Sequence, residues 1–93
     1  PLKLGQRLRD NLAGVVETGN SQSHIVPLIL GEERRAVSVA QALRERGWDV
    51  YPIRPPTVPD GESRIRVVMH AGLSEQAVDD FSRDVVHVLA EVH

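Results

Sequence analysis

The stretch IRPPTVPDGESRIRV, residues 53–67, runs from a proline-rich loop into a segment with the alternation of a β-strand. Successive side chains of a strand point to opposite faces of its sheet. Ile65 and Val67 would therefore lie on one face, and Arg64 and Arg66 on the other. This pattern predicts a strand with one apolar face turned to a core and one cationic face.

The prolines predict the order of three strands. Segments 24–30 and 48–53 also have strand character, and each contains a proline, Pro27 or Pro52. Proline has no N–H to donate to a ladder, so it is found mostly in edge strands. The proline-free segment 64–70 is then the central strand, inserted antiparallel between the other two.

Three segments show the periodicity of amphipathic helices. They cover residues 4–17, residues 32–46, which end before Gly47, and a last helix whose N-cap is Ser74. The apolar stripe of the last helix consists of Val78, Phe81, Val85, Val88, Leu89 and Val92. The order αβαββα predicts an α+β fold, in which a small antiparallel three-stranded sheet of split βαβ type carries helices on one face. The other face would be left for a partner or a ligand.

Length and composition limit the class of protein. Ninety-three residues suit one compact domain, and because the chain begins at Pro1 we expect a fragment of a larger protein. A net charge of -2 disfavours nucleic acid as a partner. No apolar run approaches the ~20 residues that span a bilayer, so no membrane partner is expected. The absence of cysteine excludes disulfides and thiolate metal sites and is consistent with a soluble, cytoplasmic protein.

The arginines of the central strand have two interpretations. On a solvated sheet face Arg64 and Arg66 would need no function, since exposed faces of antiparallel sheets are routinely polar. The strand is central, however, and it follows a loop stiffened by three prolines, which help to hold Arg54 and Thr57 in place. A guanidinium held in this way suits bidentate binding of a carboxylate.

The same residues resemble a known family. Residues 53–67, followed by SEQAVDDF at residues 74–81, resemble the C-terminal end of the α-oxoamine synthases, most closely the 8-amino-7-oxononanoate synthases of biotin biosynthesis. The resemblance extends upstream through residues 23–53 and, more weakly, into the first helix. It covers nearly the whole chain.

The resemblance implies that residues 1–93 are the single, small C-terminal domain of a larger pyridoxal-phosphate enzyme of fold type I, a homodimer when complete. Such enzymes are acyltransferases that condense an amino acid, here L-alanine, with an acyl-CoA, here pimeloyl-CoA or a related thioester, and release carbon dioxide. The resemblance further implies that Arg66 binds the amino-acid carboxylate and that Arg54 and Thr57 line the substrate site. Arg64 would instead have a structural role, as a partner of other residues of the protein.

Residues that the complete reaction needs have no counterpart in this sequence. Lys3 is the only lysine and lies in a helical pattern unlike the Schiff-base motif that carries the cofactor. We therefore expect no catalytic and no cofactor-binding residue here, and we predict that the 93-residue chain alone is inactive without the large domain of the same enzyme. Two alternatives remain. One is a free-standing split βαβ module that binds or regulates without catalysis; the other is an RNA-binding domain, disfavoured because the central strand lacks stacking aromatics.

Other polar residues give weaker patterns. The four histidines, His24, His70, His87 and His93, have no paired spacing for a metal, so no metal site is predicted. His70 also departs from the small or hydroxyl residues that related enzymes carry before the last helix. Asp79, Asp80 and Asp84 are expected to form the solvated face of that helix.

Overall fold

The computed structural model describes residues 2–19, 25–69 and 72–92. Its helices and strands follow the predicted order: α1 (Leu2–Leu12), β1 (Ile25–Gly31), α2 (Glu33–Glu45), β2 (Tyr51–Ile53), β3 (Ser63–Val68) and α3 (Glu75–Glu91). The α+β prediction is therefore confirmed. Within the described ranges, no helix has both the length and the apolar character needed to cross a membrane.

The sheet has the strand order β1-β3-β2, and β3 runs antiparallel to both neighbours. The two proline-bearing strands are thus the edges, as predicted. β2 is shorter than expected and pairs with β3 only between Tyr51, opposite Arg66, and Ile53, opposite Arg64. The outer edge of β3 consequently has no strand partner beyond Arg66.

The end of α2 explains why residues 48–50 are not strand. Gly47 has a φ of 96°, and its N–H donates to the carbonyl of Arg44. The N–H of Trp48 donates to the carbonyl of Leu43 at 3.1 Å, which completes a Schellman motif. The carbonyl of Val50 accepts a hydrogen bond from the Arg44 side chain at 3.0 Å. The Trp48 N–H ends the helix and the Val50 carbonyl binds the Arg44 side chain, so neither group extends the sheet.

The core lies between one face of the sheet and the helices, as predicted. Two cross-strand pairs of β1 and β3 are buried there: Val26 with Val67 and Leu28 with Ile65. The helices contribute further buried apolar side chains to the same cluster: Leu8, Leu12, Ala36, Val39, Ala40, Leu43, Val78, Phe81, Val85 and Val88. Most of the predicted stripe of α3 is therefore in the core, and its N-cap is confirmed because the Ser74 hydroxyl accepts the N–H of Ala77 at 3.0 Å.

The first helix ends earlier than predicted, at Leu12 rather than at residue 17. The N–H groups of Val15 and Val16 both donate to the Leu12 carbonyl, and Gly14 has a φ of 79° in the turn between them. Val15 is 41% exposed, so it is not part of the core-facing stripe. The released segment then reaches β1, where the N–H of Ile29 donates to the carbonyl of Glu17 at 2.8 Å.

Candidate functional site

One face of the sheet carries no helix, and we call it the open face. Strand register places its side chains on the side opposite the buried pairs. It consists of Ile25, Pro27, Ile29, Tyr51, Ile53, Arg64, Arg66 and Val68. Its two cations therefore stand among apolar side chains, a setting in which a charged ligand is less screened by water than on an ordinary polar surface.

Arg64 and Arg66 differ in their partners. Arg64 bends back onto the loop before β3, where its Nε donates to the Glu62 carbonyl at 3.0 Å and its Nη2 lies 3.5 Å from Glu62 Oε1. Arg66 is exposed, and within the described ranges its guanidinium has neither a hydrogen-bond nor an ion-pair partner. It stands between Pro27 of β1 and Tyr51 of β2, its Cα partners in the register. Of the two arginines, Arg66 has its donors available for a ligand.

Arg54 and Thr57 lie in the loop that joins β2 to β3, and both are exposed. The loop is made of tight turns: the N–H of Thr57 donates to the Arg54 carbonyl at 2.9 Å, and the Pro55–Pro56 peptide is cis. The loop follows Ile53, which is paired with Arg64, so it lies beyond the Arg64 end of β3. Arg66 is one side-chain repeat further along the strand, about 7 Å away. Among the described residues, no hydrogen bond or ion pair joins Arg54 or Thr57 to Arg66.

A cavity of about 370 Å³ opens where β2 stops pairing with β3. Its walls are mainly apolar and include Trp48, Val50, Met69, Val78 and Phe81. Arg66 also lines it and is the basic residue of its described lining. The site around Arg66 therefore combines an available cation with an apolar recess at the free edge of the central strand.

The predicted solvated face of α3 instead makes contacts between elements. Arg7 of α1 binds Asp79 through two hydrogen bonds, Nε to Oδ1 at 2.9 Å and Nη2 to Oδ2 at 2.8 Å. Asn11 also donates to Asp79, at 2.9 Å. The Arg7 guanidinium and the Asn11 amide lower the pKa of Asp79 to about 2. The same hydrogen bond and the nearby carboxylates raise the pKa of Arg7.

A second contact of this kind holds the segment before β2. Trp48 Nε1 donates to Asp84 Oδ2 at 2.7 Å, and Arg46 Nη1 lies 3.1 Å from Asp84 Oδ1. Chiefly because of the Trp48 hydrogen bond, the pKa of Asp84 is lowered. The Trp48 ring also packs edge-on against Phe81, with 5.0 Å between ring centroids. The wall of the cavity is therefore fixed to α3.

These contacts could not be found by reading the sequence alone. Asp79 and Asp84 sit at polar positions of an amphipathic helix, which is also the pattern of a solvated face. Their partners are 72 and 36 residues away along the chain. The sequence contains no local signal that joins them.

The histidines give no support for a metal site. His87 is exposed on α3, and the other three histidines lie outside the described residues. Within the described ranges no three His, Asp or Glu side chains are grouped so that they could hold a metal ion.

Among the described residues, no lysine lies at the open face, where it could hold pyridoxal phosphate. Lys3 is exposed on α1, which packs on the core side of the sheet and not on the open face. The chemistry available at the open face is the binding of an anion by a guanidinium.

Comparison with known proteins identifies the family of this chain. Residues 2–85 match the family described as aminotransferase class I and II, so the chain belongs to that family.

Its curated relatives are more specific. The chain is 45% identical over 78 residues to the 8-amino-7-oxononanoate synthase of Chlorobaculum parvum, an alignment that covers 84% of this chain and 20% of the relative. It is 54% identical over 67 residues to the 8-amino-7-oxononanoate synthase of Anaeromyxobacter dehalogenans, covering 72% of this chain and 17% of the relative. The chain thus spans about a fifth of the length of the curated relatives it matches.

Solved structures agree with this assignment. The serine palmitoyltransferase of Sphingomonas wittichii superposes with a TM-score of 0.85 at 27% identity, over 98% of this chain and 24% of that one. A structure of SPT with pyridoxal phosphate superposes with a TM-score of 0.89 at 22% identity, over 96% of this chain and 23% of that one, which shows the shared fold. The resemblance to the α-oxoamine synthases is confirmed.

Proposed function

We propose that this chain is the C-terminal, substrate-binding domain of a pyridoxal-phosphate-dependent acyltransferase of the 8-amino-7-oxononanoate synthase type. In the complete enzyme it would work with a large domain that carries the cofactor lysine, in a homodimer in the cytoplasm. The sequence identity to synthases of that name over most of this chain supports the proposal. The chain's own contribution would be to bind and orient the amino acid.

The product named by the relatives defines the proposed substrates. An 8-amino-7-oxononanoate has nine carbons. Carbon 8 bears the amino group, and carbon 9 is the methyl group attached to it. L-Alanine supplies those two carbons, and the bond between its α-carbon and its carboxylate breaks with release of carbon dioxide. A seven-carbon pimeloyl thioester supplies the rest when its carbonyl carbon bonds to that α-carbon and the CoA thiol leaves. When bound in the complete enzyme, pyridoxal phosphate supplies the electron sink for this chemistry.

One observation carries the proposed role of Arg66: its donors have no partner among the described residues, whereas Arg64 is bound to Glu62. A planar guanidinium can bind both oxygens of a carboxylate at once. Holding the amino-acid carboxylate in this way fixes the orientation of the bonds at the α-carbon. Arg54 and Thr57, at the loop end of the same face, would contact the more distant parts of the substrates.

The test is a comparison of Arg66→Ala with Arg64→Ala in the complete enzyme. A charged hydrogen bond contributes about 1.5–3 kcal/mol, so Arg66→Ala should lower kcat/KM for the amino acid by roughly ten- to a hundredfold or more. Arg66→Lys should restore only part of it, because lysine keeps the charge and loses the fork. Arg64→Ala is the matched control on the same strand. If Arg66→Ala folds normally with unchanged kcat and amino-acid KM while Arg64→Ala loses both, the assignment is wrong by one strand repeat.

A further inference from the structure

Tyr51 of β2 is the neighbour of Arg66 on the open face. It is 59% exposed, an unusual setting for a large aromatic side chain. In the antiparallel register it stands directly opposite Arg66. Side chains of such a pair lie on the same face, with Cβ atoms about 5 Å apart. The two side chains therefore leave the backbone next to each other on the open face.

The Tyr51 ring is itself held in place by a second arginine. The Arg44 guanidinium lies 5.1 Å from the ring centroid, within the range of a cation–π interaction. Arg44 belongs to α2 on the core side, so its side chain reaches past the outer edge of β2. It is fixed there because its Nη1 donates to the Val50 carbonyl at 3.0 Å. The ring is thus stacked on a guanidinium that is anchored to the backbone.

Arg66 consequently stands between two stiff neighbours, the Pro27 ring of β1 and the stacked Tyr51 ring of β2. Both reduce the room for rotamers of the Arg66 side chain, to which the described residues provide neither a hydrogen-bond nor an ion-pair partner. A side chain that is restricted before binding loses less conformational freedom when a ligand immobilises it. Such restriction improves binding of the ground state and of the transition state alike, so it acts on KM more than on kcat.

We propose that Tyr51, stacked on Arg44, is a positioning residue that orients Arg66 for the carboxylate of the amino-acid substrate. This inference rests on the proposed function of Arg66 and adds to it a role for Tyr51 of β2 and Arg44 of α2. Tyr51 acts through Arg66 and does not itself contact the reacting atoms.

The test uses the complete enzyme and the variant Tyr51→Val, which removes the ring and keeps a residue suited to a strand. The KM for the amino acid should rise roughly three- to tenfold, with kcat and the KM for the acyl-CoA unchanged. Tyr51→Phe should restore most of the parent's KM, because the ring face and not the hydroxyl is stacked. Arg44→Gln should raise the same KM by less. Val86→Ala, an exposed apolar position on α3, is the control.

The decisive comparison repeats Tyr51→Val in an Arg66→Ala background. If Tyr51 acts through Arg66, its effect on KM disappears there; an undiminished effect would overturn the positioning role. A Tyr51→Val enzyme with the parent's amino-acid KM, beside an Arg66→Ala enzyme that is impaired, would also overturn it and leave the proposed function standing. If Arg66→Ala leaves both kcat and the amino-acid KM at the parent's values, the proposed role of Arg66 fails and this inference fails with it.

Discussion

Arg64 and Arg66 have the same side chain, strand and face, and they differ in what occupies their donors. Arg64 is next to the loop and finds a carbonyl and a carboxylate on Glu62. Arg66 is one repeat further on, between a proline and a tyrosine that offer no carboxylate. The alternation of the sequence assigned both arginines to one face, but it could not predict which of them binds a neighbouring residue of the protein.

A single glycine, Gly47, decides how α2 turns into the segment that leads to Tyr51. Its φ of 96° lies in the left-handed region, where a Cβ is unfavourable, although a Cβ added there would meet no atom within 4 Å. Gly47→Ala should therefore destabilise the chain by about 1–2 kcal/mol through backbone conformation alone. Urea unfolding followed by circular dichroism measures this difference.

Gly47→Asn is the matched control for that experiment, because asparagine tolerates the left-handed region better than alanine does. It should lose clearly less stability than Gly47→Ala. Equal losses for the two variants would mean that the conformation of residue 47 is not what the substitution disturbs.

The helices are joined to each other by polar contacts as well as by the core. Arg7 of α1 binds Asp79 and Glu75 of α3, and Asn11 bridges Asp79 and Ser82. These contacts run along one side of the α1–α3 pair. They fix the register of the two helices, whereas apolar packing alone tolerates small shifts.

The α1–α3 contact gives the stability of the chain a defined dependence on pH. The folded pKa of Asp79, about 2, is below its ordinary value of 3.8. A carboxyl whose pKa is lowered on folding contributes stability that is fully present above the ordinary pKa and is lost as the pH falls through the folded pKa. The difference in unfolding free energy between the parent and Asp79→Asn should therefore be largest above about pH 5 and should shrink towards pH 2.

Urea unfolding of both proteins at several pH values between 7 and 2 measures this difference. Asp80→Asn is the control on the same helix, since the recorded partners of Asp80, Gln76 and Arg83, lie on α3 itself. A gap between the parent and Asp79→Asn that stays constant down to pH 2 would contradict the role of the Arg7–Asp79 pair.

The elements differ in how well the sequence predicts them. Pro27 and Pro52 marked the edge strands, Gly47 the end of α2 and Ser74 the start of α3, because each of these residues acts through its own backbone or an adjacent one. The predicted end of α1 was wrong because the chain turns at Gly14, inside the apolar periodicity. The predicted length of β2 was wrong because the Trp48 N–H and the Val50 carbonyl bind groups of α2 instead. The partners of Asp79 and Asp84, and the Arg44–Tyr51 stack, depend on tertiary placement, which no local pattern encodes.

The molecule as a whole has one covered and one open side. The helices bury one face of the sheet, and the open face keeps Arg66, Tyr51 and Val68 exposed, the last at 48%. An antiparallel sheet can leave one face to water, but here that face mixes apolar side chains with an unpaired guanidinium. The proposed function requires such an asymmetry, because a domain that works against the remainder of an enzyme needs an accessible face.

The same asymmetry predicts that the 93-residue chain alone neither catalyses the condensation nor retains pyridoxal phosphate covalently. The chain's one lysine, Lys3, is exposed on α1, and the described lining of the cavity beside Arg66 does not include it. A lysine that carries this cofactor needs activation by its surroundings.

Borohydride treatment of the chain with equimolar pyridoxal phosphate, followed by intact-mass measurement, should give the unmodified mass of 10.3 kDa. Lys3→Arg, treated in parallel, sets the background of the measurement. A stoichiometric adduct on Lys3, absent from that variant, would show that this domain holds the cofactor unaided and that the large domain is not needed for it.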